Sequence, residues 1–117
     1  MPRVVEAPTR IPVPGGKTIA EYVCRVTTGT ESVSVAHMVA PAGWEEPAQT
    51  PEFDEITVVL KGTVLVEHEG GTLAVHAGQA VITAAGERVR YSTSTEGAEY
   101  VAVCLPAFGP DLVNRED

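Results

Sequence analysis

Aromatic side chains are scarce in this chain, at 5% of its 117 residues, and it has only two cysteines, three histidines and eight basic residues. With few rings to fill space, the interior falls to Val, Ala, Leu and Ile within a 44% hydrophobic composition, which favours a β-rich packing solution. No stretch approaches the roughly 20 consecutive apolar residues that a membrane helix needs. The opening residues, with Arg3, Glu6 and Arg10, lack the apolar centre of a secretion signal, so a cytoplasmic location is expected. Sixteen acidic residues against eight basic ones leave a net charge of −8, which repels a phosphate backbone and an anionic membrane surface alike. Neither nucleic acid nor a membrane is an expected partner. Cys24 and Cys104 lie in apolar strand-like runs, form no CxxC pair and have no zinc-type spacing, so they read as reduced, buried thiols; a single disulfide between neighbouring strands stays open.

What is present is a period of two. The length suits one domain with one core. Pro2, Pro8, Pro12 and Pro14 followed by Gly15-Gly16 predict an extended arm over residues 1–16, able to lie along a partner subunit. Strand-like runs follow at Thr18–Thr27 and Ser32–Ala40, and after the Pro41–Pro51 loop at Glu55–Lys61, Thr63–His68, Thr72–His76, Ala80–Thr83, Arg88–Thr93 and Ala98–Leu105. Glycines stand between them at 62, 70, 71, 78, 86 and 97 and read as turns. About eight short strands predict an antiparallel barrel over residues 17–109, ahead of a polar acidic tail at 110–117 that is expected to fray.

One run has a distinctive spacing. From Gly43, five residues lead to Gln49, one more separates Pro51, three more precede Glu55, and six then separate Gly62. Fifteen residues on, a second block runs from Gly78 through Ala84, Gly86 and Val89 to Thr93. In this spacing the chain resembles the cupin superfamily, the RmlC-like jelly rolls. The resemblance implies an all-β double-stranded β-helix barrel in a single domain. Within that superfamily, Phe53-Asp54-Glu55-Ile56 with Leu60, Gly62 and the late Tyr100–Ala107 block is similar to the ethanolamine-utilisation cupins, members of which have been ascribed an acetate-kinase activity. The resemblance also implies a small-molecule pocket inside the barrel and a homodimer. Gly15-Gly16-Lys17-Thr18 imitates the end of a phosphate-binding loop, but Ile11 occupies the place of its first glycine and no long helix follows.

The cupin superfamily places histidines where this chain has Gln49, Pro51 and Val89, a set that the ethanolamine-utilisation cupins also lack. A catalytic first-row metal commonly needs three or more His, carboxylate or thiolate ligands, and of the motif positions only Glu55 is a good one. No cofactor is therefore certain. A divalent transition metal would need a remodelled set of Glu55, His37 and Gln49.

An inward Glu55 in an apolar barrel must be paired, hydrogen-bonded, metal-bound or protonated, which makes it the leading candidate for acid–base chemistry. Alternation puts Thr57 on its face and, from an inward Val89, brings Tyr91 inward as a polar donor. His37 shares a stripe with Val33, Val35 and Val39 that is expected to face the interior, so Glu55, His37 and Tyr91 form the candidate catalytic set. Gln49, Thr57, Trp44 and Phe53 are the candidate ligand contacts, the two aromatics either rimming the pocket or plugging the barrel end. The expected function is a cupin-type small-molecule protein, enzymatic without a histidine-rich metal site. A non-catalytic binding module or a metal-dependent dioxygenase or lyase stands as the alternative.

Overall fold

Two glycines that read as turns, Gly62 and Gly97, lie instead inside the two longest strands of the computed structural model, which describes residues 1–116. Seven strands form: β1 (Thr9–Ile11), β2 (Thr18–Val23), β3 (Ser34–Ala40), β4 (Asp54–His68), β5 (Gly71–His76), β6 (Ala80–Thr83) and β7 (Arg90–Leu105). The runs expected as separate strands on either side of Gly62 are one strand, β4, and those around Gly97 are one strand, β7. Both glycines adopt positive φ, 73° at Gly62 and 69° at Gly97. They pass back to back, so that a methyl group on Gly62 would collide with the Gly97 carbonyl. Here glycine bends a strand at a barrel corner without ending it, and pairing resumes after a register shift.

The bend lets each long strand serve two layers of an antiparallel jelly roll. In the first layer the early half of β4 lies between β6 and the late half of β7, and β3, β2 and β1 continue the sheet. In the second, the late half of β4 lies between β5 and the early half of β7. That layer is extended by residues 44–49, which pair with 89–93, and by 112–116, which bond to 48–52.

The terminal segments therefore differ from expectation. The arm folds against its own barrel, with Arg10 opposite Ala20 in β1–β2 pairing. The tail is hydrogen-bonded, through Glu52 N–H to Leu112 O at 2.9 Å and Glu116 N–H to Ala48 O at 2.8 Å. Asp117, the last residue of that expected tail, lies outside the described residues.

The core is valine-rich, as the composition requires. Val59, Val64, Val66, Val75 and Val89 pack with Trp44, Tyr91 and Tyr100, while Phe53, Cys104 and Val113 form a second cluster with Phe108 and Leu112. Each fully buried valine contributes about 1.5–3 kcal/mol relative to exposure. Both cysteines are free and buried.

On β3 the alternation is inverted from the expected sense. Ser34, Ala36 and Ala40 are buried with Met38 beside them, so Val35, His37 and Val39 take the outer face. The β7 positions facing the start of β3 are similarly small, with Ala102 directly opposite Ala36 and Cys104 opposite Ser34, whereas Tyr100 stands opposite Met38. Small side chains between two full-sized layers leave space, and a cavity of about 370 Å³ occupies it.

Replacing Gly62 with alanine combines a left-handed backbone conformation that costs about 1–2 kcal/mol with overpacking that costs about 1–3 kcal/mol. Gly62→Ala is expected to lower stability by about 3 kcal/mol in urea unfolding. Gly78→Ala, where φ is 86° but nothing crowds the position, should lose only the backbone share.

Candidate functional site

The strand residues of the cavity wall arrive by alternation, and the rest come from the segments between and after the strands. On β4, Asp54, Ile56 and Val58 face away while Glu55, Thr57 and Val59 turn inward, and of these Glu55 reaches the cavity. On β2 the inward parity falls on Ile19 and Glu21, preceded by Lys17, which the Gly15-Gly16 turn delivers to the same face. From β7 come Tyr91, Tyr100, Ala102 and Cys104. The 44–49 segment contributes Glu46 and Gln49, and the C-terminal segment contributes Arg115. Ile11 and Val13 of the arm, with Met38, Phe53 and Phe108, make much of the remainder apolar.

The polar groups are coupled. Arg115 donates from Nη2 to Gln49 Oε1 at 2.9 Å and lies 3.6 Å from Glu46 Oε2. Lys17 Nζ sits 4.0 Å from the Trp44 ring centroid and 5.3 Å from that of Tyr100. Burial pushes the Glu55 carboxyl up to about 7; the Glu46 charge adds to this, and Lys17 and Arg115 oppose it. Thr57 Oγ1 depresses Glu55 only weakly, for it is buried yet forms no well-aligned hydrogen bond. Glu46 is also raised by burial, against Lys17 and Arg115. Burial lowers Lys17, against the pull of Glu46 and Glu55. The Tyr91 hydroxyl, 3.1 Å from Thr83 Oγ1, is held protonated by burial and by the Glu55 charge, and the Cys104 thiol is held protonated for the same two reasons.

The sequence-derived candidates divide. Glu55, Tyr91, Gln49 and Phe53 line one cavity. Trp44 packs in the core beneath Lys17 and Thr57 is buried behind the wall, so neither touches the cavity directly. His37 is the correction: it lies on the outer face of β3, where Nε2 meets Glu99 Oε2 at 2.7 Å. An apolar stripe of valines suggested an inward face, but the apolar outer surface of the sheet accounts for that stripe equally well. Lys17, Glu46, Glu21 and Arg115 were not singled out as site residues. β2 lacks a polar–apolar alternation that would reveal its inward face, and Glu46 and Arg115 lie in segments without periodicity.

The metal set of Glu55, His37 and Gln49 does not converge, because His37 and Glu55 occupy opposite faces of the sheet. At the cupin positions Pro51 and Val89 carry no donor atom, and the Gln49 amide oxygen already accepts from Arg115. Among the described residues no cluster of three or more His, Cys, Asp or Glu side chains is disposed to hold a metal ion. These residues do not fit the family's metal centre.

The family profile described as ethanolamine utilisation protein EutQ matches residues 19–109. This chain belongs to the EutQ family of cupins. The EutQ structure from Salmonella typhimurium LT2 is 24% identical, with 79% of this chain and 71% of that one covered at a TM-score of 0.63. KdgF from Halomonas sp. is 16% identical over 86% of this chain and 89% of that one, at 0.72. Oxalate decarboxylase from Bacillus subtilis is 16% identical over 98% of this chain and 33% of that one, at 0.79. At these identities the three structures share the jelly-roll fold with this EutQ-family chain. A curated relative named endoribonuclease YbeY, from Myxococcus xanthus (strain DK1622), is 47% identical over 107 residues, which is 91% of this chain and 36% of that protein. The chain thus spans about a third of the length of that relative.

The raised carboxyl carries a signature. The unfolded chain loses the Glu55 proton near 4.5 while the native state keeps it to about 7, so the native state binds more protons in that window and stability falls as pH rises through it. The fall amounts to about 3 kcal/mol at about 1.36 kcal/mol per pKa unit. Glu46 and Glu21, both raised by burial, act in the same sense. Lys17, lowered, acts oppositely between its native value and 10.5. Urea unfolding at pH 5 and pH 8 should show Glu55→Gln close to wild type at the lower pH and more stable by about 3 kcal/mol at the higher.

Proposed function

We propose that this EutQ-family cupin binds a small, largely apolar metabolite in the barrel cavity and acts on it by proton transfer. Glu55 is the acid–base group, and Tyr91 is a hydrogen-bond donor that stays protonated. The observation that carries the reading is a carboxyl with a pKa of about 7 in the wall of an otherwise largely apolar cavity, since general acid–base catalysis is most efficient when the group titrates close to the working pH. His37, turned to the outer face, takes no part in this chemistry. A binding module without catalysis is the second reading, favoured by the ion pair and hydrogen bond that hold Arg115 to Glu46 and Gln49 and so fix part of the polar wall in place.

The activity named for the Myxococcus xanthus relative belongs to that whole protein, about two-thirds of which lies outside the match. A net charge of −8 and an apolar cavity do not suit a polyanionic RNA substrate, so small-molecule chemistry is the better reading for this chain. Two buried, free thiols suit a reducing compartment such as the cytoplasm. No helix among the described residues is long and apolar enough to cross a membrane.

The homodimer belongs to the same proposal. On the outer face of the first layer a cross-strand row runs Ile82, Ile56, Val103, Val35 and Val23, and beside it another runs Ala80, Val58, Val101, His37 and Ala20. Across β6, β4, β7, β3 and β2 the one ionisable member is His37, already paired with Glu99, and Arg10 of β1 follows only at the edge, which leaves an apolar surface suited to a second copy of itself. Val58→Glu with Val101→Glu is expected to convert a dimer to a folded monomer in light scattering. A wild type that is monomeric at micromolar concentration overturns the dimer.

For the activity, a panel of four- to eight-carbon oxo, hydroxy and carboxylic acids and aldehydes is screened by thermal shift and by fluorescence of Trp44, the chain's single tryptophan. Compounds that bind are then followed for turnover. Glu55→Gln should keep the fold and lose turnover by about 10²–10⁴-fold, while a chelator changes nothing. Loss of activity on chelation, an unaffected Glu55→Gln variant, or no binding across the panel overturns the reading.

A further inference from the structure

The ion pairs of the described residues engage Lys61 and four arginines, but not Lys17. Lys17 nevertheless lines the cavity, with its amine placed over the Trp44 ring and facing that of Tyr100. Of the three cavity cations, Arg115 is committed to Glu46 and Gln49, and Arg25 to Glu31 and the Ala107 carbonyl. That leaves Lys17 as the cavity cation outside any ion pair, and of the two cavity acids that are likewise outside one, Glu21 and Glu55, it is Glu55 whose charge and that of Lys17 act on each other.

We propose that Lys17 is the cavity's nucleophile and that the ligand class is a small, largely apolar aldehyde or ketone, captured as an imine. This deepens the acid–base reading and rests on it. Desolvation drives the two groups toward their neutral forms, an amine and a carboxylic acid, and these are the forms that imine formation uses.

The amine lone pair attacks the carbonyl carbon and forms the C–N bond, while the carbonyl π electrons move to oxygen and take the proton of Glu55. The Glu55 carboxylate then removes a proton from nitrogen and returns it to the carbinolamine hydroxyl, which leaves as water while the nitrogen lone pair forms the C=N bond, and the carboxylate finally takes the remaining proton from the iminium nitrogen. The sum is R₂C=O plus the lysine amine giving R₂C=N–Lys and H₂O, with Glu55 regenerated in its acid form. The walls match this class. Ile11, Ile19, Met38, Phe53 and Phe108 suit an alkyl or aryl body, and the polar wall, with Arg115 and Glu46 mutually neutralised, does not demand a charged head.

The chain has two lysines, which makes the test clean. The 117-residue chain at pH 7 is treated with hexanal or benzaldehyde and cyanoborohydride, and adducts at Lys17, Lys61 and the Met1 amine are quantified by peptide mass spectrometry. Lys61 is 81% exposed and serves as the internal reference. Lys17 should be modified at least tenfold faster than Lys61, and Glu55→Gln should slow Lys17 tenfold while leaving Lys61 unchanged. Lys17→Met should remove the adduct while the variant keeps a cooperative thermal unfolding transition. Modification that follows exposure, with Lys61 ahead of Lys17, overturns the proposal in the wild type alone and so needs no folded variant. An unchanged Lys17 rate in Glu55→Gln overturns it as well. If a non-carbonyl ligand is turned over with dependence on Glu55 while Lys17 resists trapping, the acid–base reading stands and the carbonyl class falls.

Discussion

The passage of β4 across β7 at Gly62 and Gly97 is the constraint on which the rest of the molecule depends. Gly97 is itself crowded by the Ala40 carbonyl, at 2.6 Å from where its own methyl would sit, so three backbones meet where no side chain fits. Because both long strands bend there without losing partners, the early and late halves of each can belong to different layers. Glu55 then stands on one layer and Tyr91 on the other, separated by a gap that neither strand alone would create. The cavity follows from this folding together with the small inward side chains of β3 and β7. Larger residues at Ala36 and Ala102 would turn the same architecture into a solid core.

Inside that gap electrostatics follows from desolvation more than from pairing. Burial is the leading cause of the shifts at Glu55, Glu46 and Lys17, and it moves acids up and the amine down. Opposite charges nearby resist these movements but do not reverse them. The result is a group of ionisable side chains whose proton affinities lie closer together than they do in water, which favours proton exchange among them. The hydroxyl of Tyr91 and the thiol of Cys104 lie outside that exchange, since burial keeps both protonated.

How much of this was legible in the sequence depended on periodicity. The motif spacing from Gly43 to Gly62 located Glu55 and Gln49, and alternation carried the reading to Tyr91, because those segments hold a regular pleat. Alternation failed at β3, where the outer face carries the valines and the inner face carries Ser34, Ala36 and Met38, the reverse of the usual hydrophobic rule. A pattern of period two fixes which residues share a face but not which face is inside, and a cavity on one side with an apolar surface on the other removes the cue that normally decides it. The bends were hidden for a different reason. A glycine with positive φ serves a turn or a bulge equally well, and only the backbone packed against Gly62 distinguishes the two.

The same cavity keeps ionisable groups on its wall although the histidines of the cupin superfamily are absent from the motif positions. A metal ion would bring concentrated positive charge to the Glu55 carboxylate and draw on the Gln49 oxygen as a donor. Here Arg115 occupies the Gln49 oxygen, and Lys17 with Arg115 supplies positive charge felt by Glu55. Pro51 and Val89, in turn, leave nothing at their positions for such an ion to bind. A fixed guanidinium and an amine differ from a metal in one respect that matters chemically: the amine can give up its proton and become a nucleophile, whereas a Lewis acid acts only by withdrawing electrons. With an amide, a proline and a valine at the positions of the imidazoles, and with Lys17 and Arg115 on its wall, the cavity holds groups suited to the proton and amine chemistry proposed for it.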